Sequence, residues 1–138
     1  MQKYNIITHI TTFCNYECSY CDVIKDKKNH NTKNLDKIIE FINVNHLFID
    51  RFKFFGWEPL LSFKDIKYII DKTKNHKLNY EIVTNTSLLN DDIWEYFQKY
   101  FYMIFFSIDS ENYFDFVKAS SFIKKFHLQN KLYFNLII

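Results

Sequence analysis

Cys14, Cys18 and Cys21 are the cysteines of this chain, gathered in the segment Phe-Cys-Asn-Tyr-Glu-Cys-Ser-Tyr-Cys-Asp from Phe13 to Asp22. Three residues separate the first pair and two the second, so one short loop can bring three thiolates to a point. Soft iron or zinc is the natural guest there. A structural zinc site closes with four ligands, and an electron-transfer cluster is usually held by four thiolates, whereas three leave one metal position open for chemistry. The residues alone leave three readings: a reactive iron-sulfur centre, zinc completed by a histidine such as His9 or His30, or no metal.

The elements that must position this loop follow from periodicity. Tyr4 to Ile10 reads as a short strand that ends at Thr11-Thr12, so the cysteine loop leaves a strand end. A polar connection with Lys25, Lys27, Lys28 and Lys33 runs to Asn34, which is placed as the N-cap of a helix burying Leu35, Ile38, Ile39 and Ile42. Arg51 to Phe55 alternates as a second strand and stops at Gly56-Trp57-Glu58-Pro59. Ser62 is read as the cap of a second helix, with Asp65 completing a capping box and Phe63, Ile66, Ile69, Ile70 and Thr73 as its apolar side. Tyr80 to Val83 is a third strand, Asn90 opens a third helix, Tyr102 to Ile108 is a fourth strand, a fourth helix spans Tyr113 to Phe126, and Leu132 to Ile138 is a fifth strand.

Strand and helix alternating in this way mark βα units on a parallel sheet with right-handed crossovers. Apolar runs such as Met103 to Phe106 suit strands buried on both faces. The polar residues fall at strand ends: Cys14 to Cys21, Gly56 to Glu58, Thr84 with Asn85, and Ser107 with Asp109. In open α/β sheets and βα barrels that edge binds ligands. His9 and Asn135 are weaker candidates, each able to serve packing alone.

Composition bounds the class. With 138 residues, 48% hydrophobic and 20% aromatic, the chain has material for one core. A net charge of +2, spread along the sequence, gives no nucleic-acid groove. No apolar run approaches the ~20 residues that span a bilayer, no signal peptide precedes the cysteines, and unpaired thiols fit a reducing cytoplasm.

Taken together, these segments resemble the radical S-adenosylmethionine (SAM) enzymes from Tyr4 to Ile138. Asn15 after the first cysteine and Tyr20 before the last match that family's cluster loop. The resemblance implies a [4Fe-4S] cluster on Cys14, Cys18 and Cys21, whose fourth iron chelates SAM. Gly56-Trp57-Glu58-Pro59 resembles the family's Gly-Gly-Glu-Pro, which receives the amino group of SAM. Thr84-Asn85-Thr86 resembles its Thr-Asn-Gly, and Ser107-Ile108-Asp109-Ser110 its Ser-Ile-Asp-Gly, both lining the SAM pocket. Trp57, Thr86 and Ser110 stand where the family has glycine. A basic residue beyond the fourth strand often holds the SAM carboxylate in relatives; Arg51, the single arginine, is placed elsewhere, and Lys118 is the nearest cation.

The fold thus implied is α/β: a partial (βα) barrel with a parallel sheet of about five strands, helices on the outer face, and the chain ending at strand five. Residues 1–138 are read as a radical SAM core domain that is truncated or incomplete, because the family barrel has a sixth unit. The implied reaction is reductive cleavage of SAM to a 5′-deoxyadenosyl radical that takes a hydrogen atom from substrate. The loop style is closest to the peptide- and protein-modifying branch. Expected partners are an external one-electron reductant of flavodoxin or ferredoxin type, a peptide or protein substrate, and a dimer mate or second subunit covering the open sheet edge. The competing readings are a non-catalytic cluster- or SAM-binding regulatory module on a degenerate half barrel, and a zinc-stabilised α/β domain.

Overall fold

The computed structural model describes residues 2–19, 21, 32–108, 113–126 and 132–136. Its elements run β1 (Tyr4–Thr11), α1 (Thr32–Asn45), β2 (Ile49–Gly56), α2 (Phe63–Thr73), β3 (Asn79–Thr84), α3 (Asp91–Tyr100), β4 (Phe101–Ile108), α4 (Tyr113–Phe126) and β5 (Leu132–Leu136). The strands lie side by side in chain order, each parallel to its neighbour. Parallel neighbours need a crossover, and right-handed crossovers that always step the same way put every helix on one face. The expected α/β class with a parallel sheet is what the chain forms.

Alternation along the strands decides which side chains meet the helices. Phe52 and Phe54 of β2, Tyr80 and Ile82 of β3, and Ile104 and Phe106 of β4 enter one buried cluster with Leu35, Ile42, Ile66, Ile70, Trp94 and Phe97 from the helices. Each such side chain, fully buried, contributes about 1.5–3 kcal/mol of transfer free energy. Asn90 caps α3 as expected, its side chain accepting from the backbone N–H of Ile93 at 2.9 Å.

Three local expectations are corrected. Asn34 is not the N-cap of α1, because the helix already runs from Thr32 and places Asn34 inside its first turn. Ser62 stands before α2 but makes no capping bond through its side chain. A 3₁₀ turn over Pro59–Ser62 leads directly into α2, so the helical stretch begins earlier, and Glu58 caps it by accepting from the N–H of Leu60 at 3.0 Å. Burial of the strands on both faces is only partial: on the face away from the helices Glu81 and Met103 are buried, other positions less so. In β1 only Ile10 and Thr11 are buried, and Phe105 of β4 is half-buried, because no described helix covers the second face of the sheet.

Asp109, Ser110, Tyr20, His30 and the lysines at 25, 27 and 28 lie outside the described residues. None of the described helices is long and apolar enough to cross a membrane.

Candidate functional site

The end of β1 and the end of β2 are drawn together by backbone contact. The carbonyl of Thr11 accepts from the N–H of Trp57 at 3.4 Å, and the carbonyl of Phe13 accepts from the N–H of Glu58 at 3.0 Å. Gly56 permits this approach. Its φ is +134°, and a Cβ there would collide with the carbonyl oxygen of Thr11. Thr11, itself buried, turns the chain into the cysteine loop by accepting from the N–H of Phe13 on its hydroxyl at 3.1 Å.

Glu58 then joins β2 to β3. Its side chain is wholly buried. One carboxylate oxygen, Oε1, accepts from Leu60 N–H at 3.0 Å and from the Thr84 hydroxyl at 2.8 Å, while Oε2 accepts from Asn85 N–H at 2.7 Å. Burial pushes its pKa up from the ordinary 4.5 to about 7, and the bonds from Asn85, Leu60 and Thr84 pull the other way without cancelling it. At neutral pH the group can hold or release a proton.

Asn85 carries the connection back to the cysteines. Its amide nitrogen donates to Cys14 Sγ at 3.8 Å and to Asn15 Oδ1 at 3.0 Å. Its amide oxygen accepts from the N–H and hydroxyl of Ser87, and Asn15 donates to that same hydroxyl at 2.8 Å. The N–H of Tyr16 also points to Cys14 Sγ, at 3.4 Å, and the N–H of Cys21 closes a turn onto the carbonyl of Cys18 at 3.0 Å. None of the three cysteines is in a disulfide, and all are half-buried on one loop. Among the described residues no three His, Cys, Asp or Glu side chains converge closely enough to grip an ion. The donor set nonetheless suits iron: three thiols on one loop outside any disulfide, one of them receiving N–H donors, are what thiolate ligation requires.

The structure thus brings Cys14, Gly56, Trp57, Glu58, Thr84 and Asn85 to one edge of the sheet, with Cys18 and Cys21 on the same loop. Ser107 lies near the matching end of β4, in register with Asn135 of β5. Asp109 is outside the described residues. His9 does not join the cysteines; it lies edge-on to Phe55, with ring centroids 5.1 Å apart, and to Trp57 at 6.3 Å. Lys118 is exposed on α4. Of the three positions where the family has glycine, Ser110 lies outside the described residues; Thr86 takes φ +71°, and neither its hydroxyl nor Trp57 Nε1, both buried, has a partner among the described residues.

Comparison with known proteins decides the family. The model described as Radical SAM superfamily matches residues 8–127. The chain belongs to the radical SAM superfamily. It is 32% identical to the radical SAM cyclopropyl synthase TigE of Paramaledivibacter caminithermalis, over 75% of this chain and 26% of that protein. Its fold is similar to that of BtrN, solved in complex with AdoMet and 2-DOIA, with a TM-score of 0.73, 19% identity, and coverage of 99% of this chain and 58% of that one. It is also similar to that of Streptococcus suis SuiB bound to precursor peptide SuiA, with a TM-score of 0.74, 19% identity, and coverage of 98% and 33%. The chain spans about a quarter to two fifths of the length of the curated relatives it matches.

In this radical SAM chain the motif positions were legible because each sits at a strand end. The bonds that join Asn15 to Asn85 and to Ser87 were not, since their partners are 70 and 72 residues apart. Lys53 and Glu81, which pair across β2 and β3, were also passed over. The signal available for them was a charged residue inside each of two apolar strands.

Proposed function

We propose that this chain is the core of a radical SAM enzyme in which Cys14, Cys18 and Cys21 hold a [4Fe-4S] cluster, and Gly56, Trp57, Glu58, Thr84, Asn85, Ser107 and Asp109 form the SAM side of the pocket. The observation that carries the reading is the hydrogen-bonded path from Glu58 through Asn85 to Cys14, which couples the acidic strand end to a cysteine sulfur. A bound cluster with SAM would supply the electron and the carbon radical that removes hydrogen from substrate.

The chain's own residues do the rest. Gly56 lets the backbone of Trp57 and Glu58 lie against the cysteine loop, which puts their carbonyls in reach of an ammonium donor. Glu58, buried behind them, serves as counter-charge. Titrating near neutrality, it can lose its proton when a cation arrives. Asn85 holds Cys14 and Asn15 in place. We extend the reading to a partial βα barrel of about five strands in residues 1–138, a peptide or protein substrate, an external one-electron reductant, and a second subunit or further chain along the open sheet edge. The likeness in fold to SuiB, solved with its precursor peptide, supports a peptide.

Anaerobic reconstitution with iron and sulfide, followed by dithionite and SAM, tests the proposal. The expected result is a brown protein that releases 5′-deoxyadenosine. A chain that takes up no iron ends the reading. A second reading, a SAM- or cluster-binding module without turnover, is favoured by Thr86, which holds a β-branched residue where the family has glycine. It predicts cluster uptake and no 5′-deoxyadenosine.

A further inference from the structure

The face of the sheet opposite the helices carries charge as well as apolar surface. Strand register sets Ile7 beside Lys53, Lys53 beside Glu81 and Glu81 beside Met103, and in the next row His9 beside Phe55 and Val83 beside Phe105. Ile7, His9, Lys53, Phe55, Val83 and Phe105 line a groove of about 360 Å³. It crosses β1 to β4, three strand spacings or about 14 Å, the length of about four residues of extended chain.

Among the described residues that line the groove, Lys53 carries the charge. Its ammonium lies 3.2 Å from Glu81 Oε2 and 4.0 Å from the centre of the Phe105 ring. Glu81 is only 2% exposed, and its other oxygen takes Arg51 at 3.4 Å; Arg51 in turn meets Asp50 at 3.7 Å. The ion pairs run from Asp50 through Arg51 and Glu81, and end on a cation at the groove. An ammonium has three donors, and the partners described for Lys53 are one carboxylate oxygen and one aromatic face. Its side chain is 24% exposed, so it retains access from the groove.

From this charge complementarity we infer that the groove binds an extended peptide segment in which an acidic side chain reaches Lys53 and an adjacent apolar or aromatic side chain packs on Phe55 and Phe105. Lys53 is then a specificity-determining residue. The inference rests on the reading of the chain as the core of an enzyme that acts on a peptide, and it names the class of residue that peptide presents.

The test is isothermal titration of the full chain, reconstituted under anaerobic conditions, with acetyl-Ala-Phe-Glu-Ala-amide, with its glutamine counterpart, and with 3-phenylpropionate. Binding is read without turnover, so failure of SAM cleavage and failure of this inference are separate results. The glutamate peptide is expected to bind about tenfold more tightly than the glutamine peptide, since a hydrogen bond between charged groups outweighs a neutral one. Lys53→Met is expected to bring the two within about twofold, with circular dichroism confirming the fold. Glu81→Gln, which removes the competing carboxylate, is expected to tighten the glutamate peptide by a few-fold, and it carries the test if Lys53→Met does not fold. Equal or undetectable binding of the two peptides to the native chain, or discrimination that survives Lys53→Met, overturns the inference. So does 3-phenylpropionate binding as tightly as the glutamate peptide, which would assign the groove to a small acid.

Discussion

Glu58 Oε2 lies 2.7 Å from the backbone nitrogen of Asn85, a bond that runs from the end of one strand to the end of the next. The same carboxylate caps the turn that begins α2. One buried acid therefore sets both the helix entry and the spacing between β2 and β3, and its protonation is coupled to stability.

Because Glu58 ionises less readily in the folded chain than in the unfolded one, the folded state holds the proton between pH 4.5 and about 7. Its contribution is fully present below that interval, is lost as pH rises through it, and is level above. The loss is about 3 kcal/mol at most. Urea unfolding of the metal-free chain at several pH values should show the decline, and Glu58→Gln should remove this component.

Gly56→Ala puts a methyl group against the Thr11 carbonyl at a φ that disfavours any side chain. A loss of about 2–4 kcal/mol is expected, because the backbone of β1 must move. Thermal unfolding measures it. A midpoint like that of the native chain would mean that β1 and β2 do not approach this closely.

Thr86→Gly should raise stability. A β-branched residue at φ +71° is strained, and the relief of about 1–3 kcal/mol exceeds the entropic cost of glycine, about 0.5–1 kcal/mol. A net gain of about 1 kcal/mol in denaturant unfolding is expected; a loss would show that the threonine hydroxyl has a stabilising partner.

Cys14→Ser, Cys18→Ser and Cys21→Ser should each abolish the brown colour and the iron content after reconstitution, while the metal-free stability stays within about 1 kcal/mol of the native chain, since the thiols are half-buried on a loop. A variant that still binds a full complement of iron would remove that cysteine from the ligand set.

Sequence reading did well on elements whose periodicity is local. The buried faces of α1 and α2, the Asn90 cap and the span of α4 follow from neighbours three or four residues apart, and the structure has them. It did less well at helix starts. Ser62 with Asp65 makes a plausible capping box, but Pro59 begins a turn earlier, and Glu58 takes the capping role with a side chain that also bonds β3.

What the amino-acid order alone determined here is the cysteine spacing, the alternation of strand and helix, and the polar residues at each strand end, because each depends on bonds along the chain. Tertiary structure decided the rest. That Glu58 is buried enough to titrate near 7, that Asn85 reaches Cys14, and that Lys53, paired with buried Glu81, sets a cation at an open groove all depend on strand register. Register joins residues 26 to 71 positions apart, and dehydration at their meeting point, which no local pattern contains, sets their chemistry.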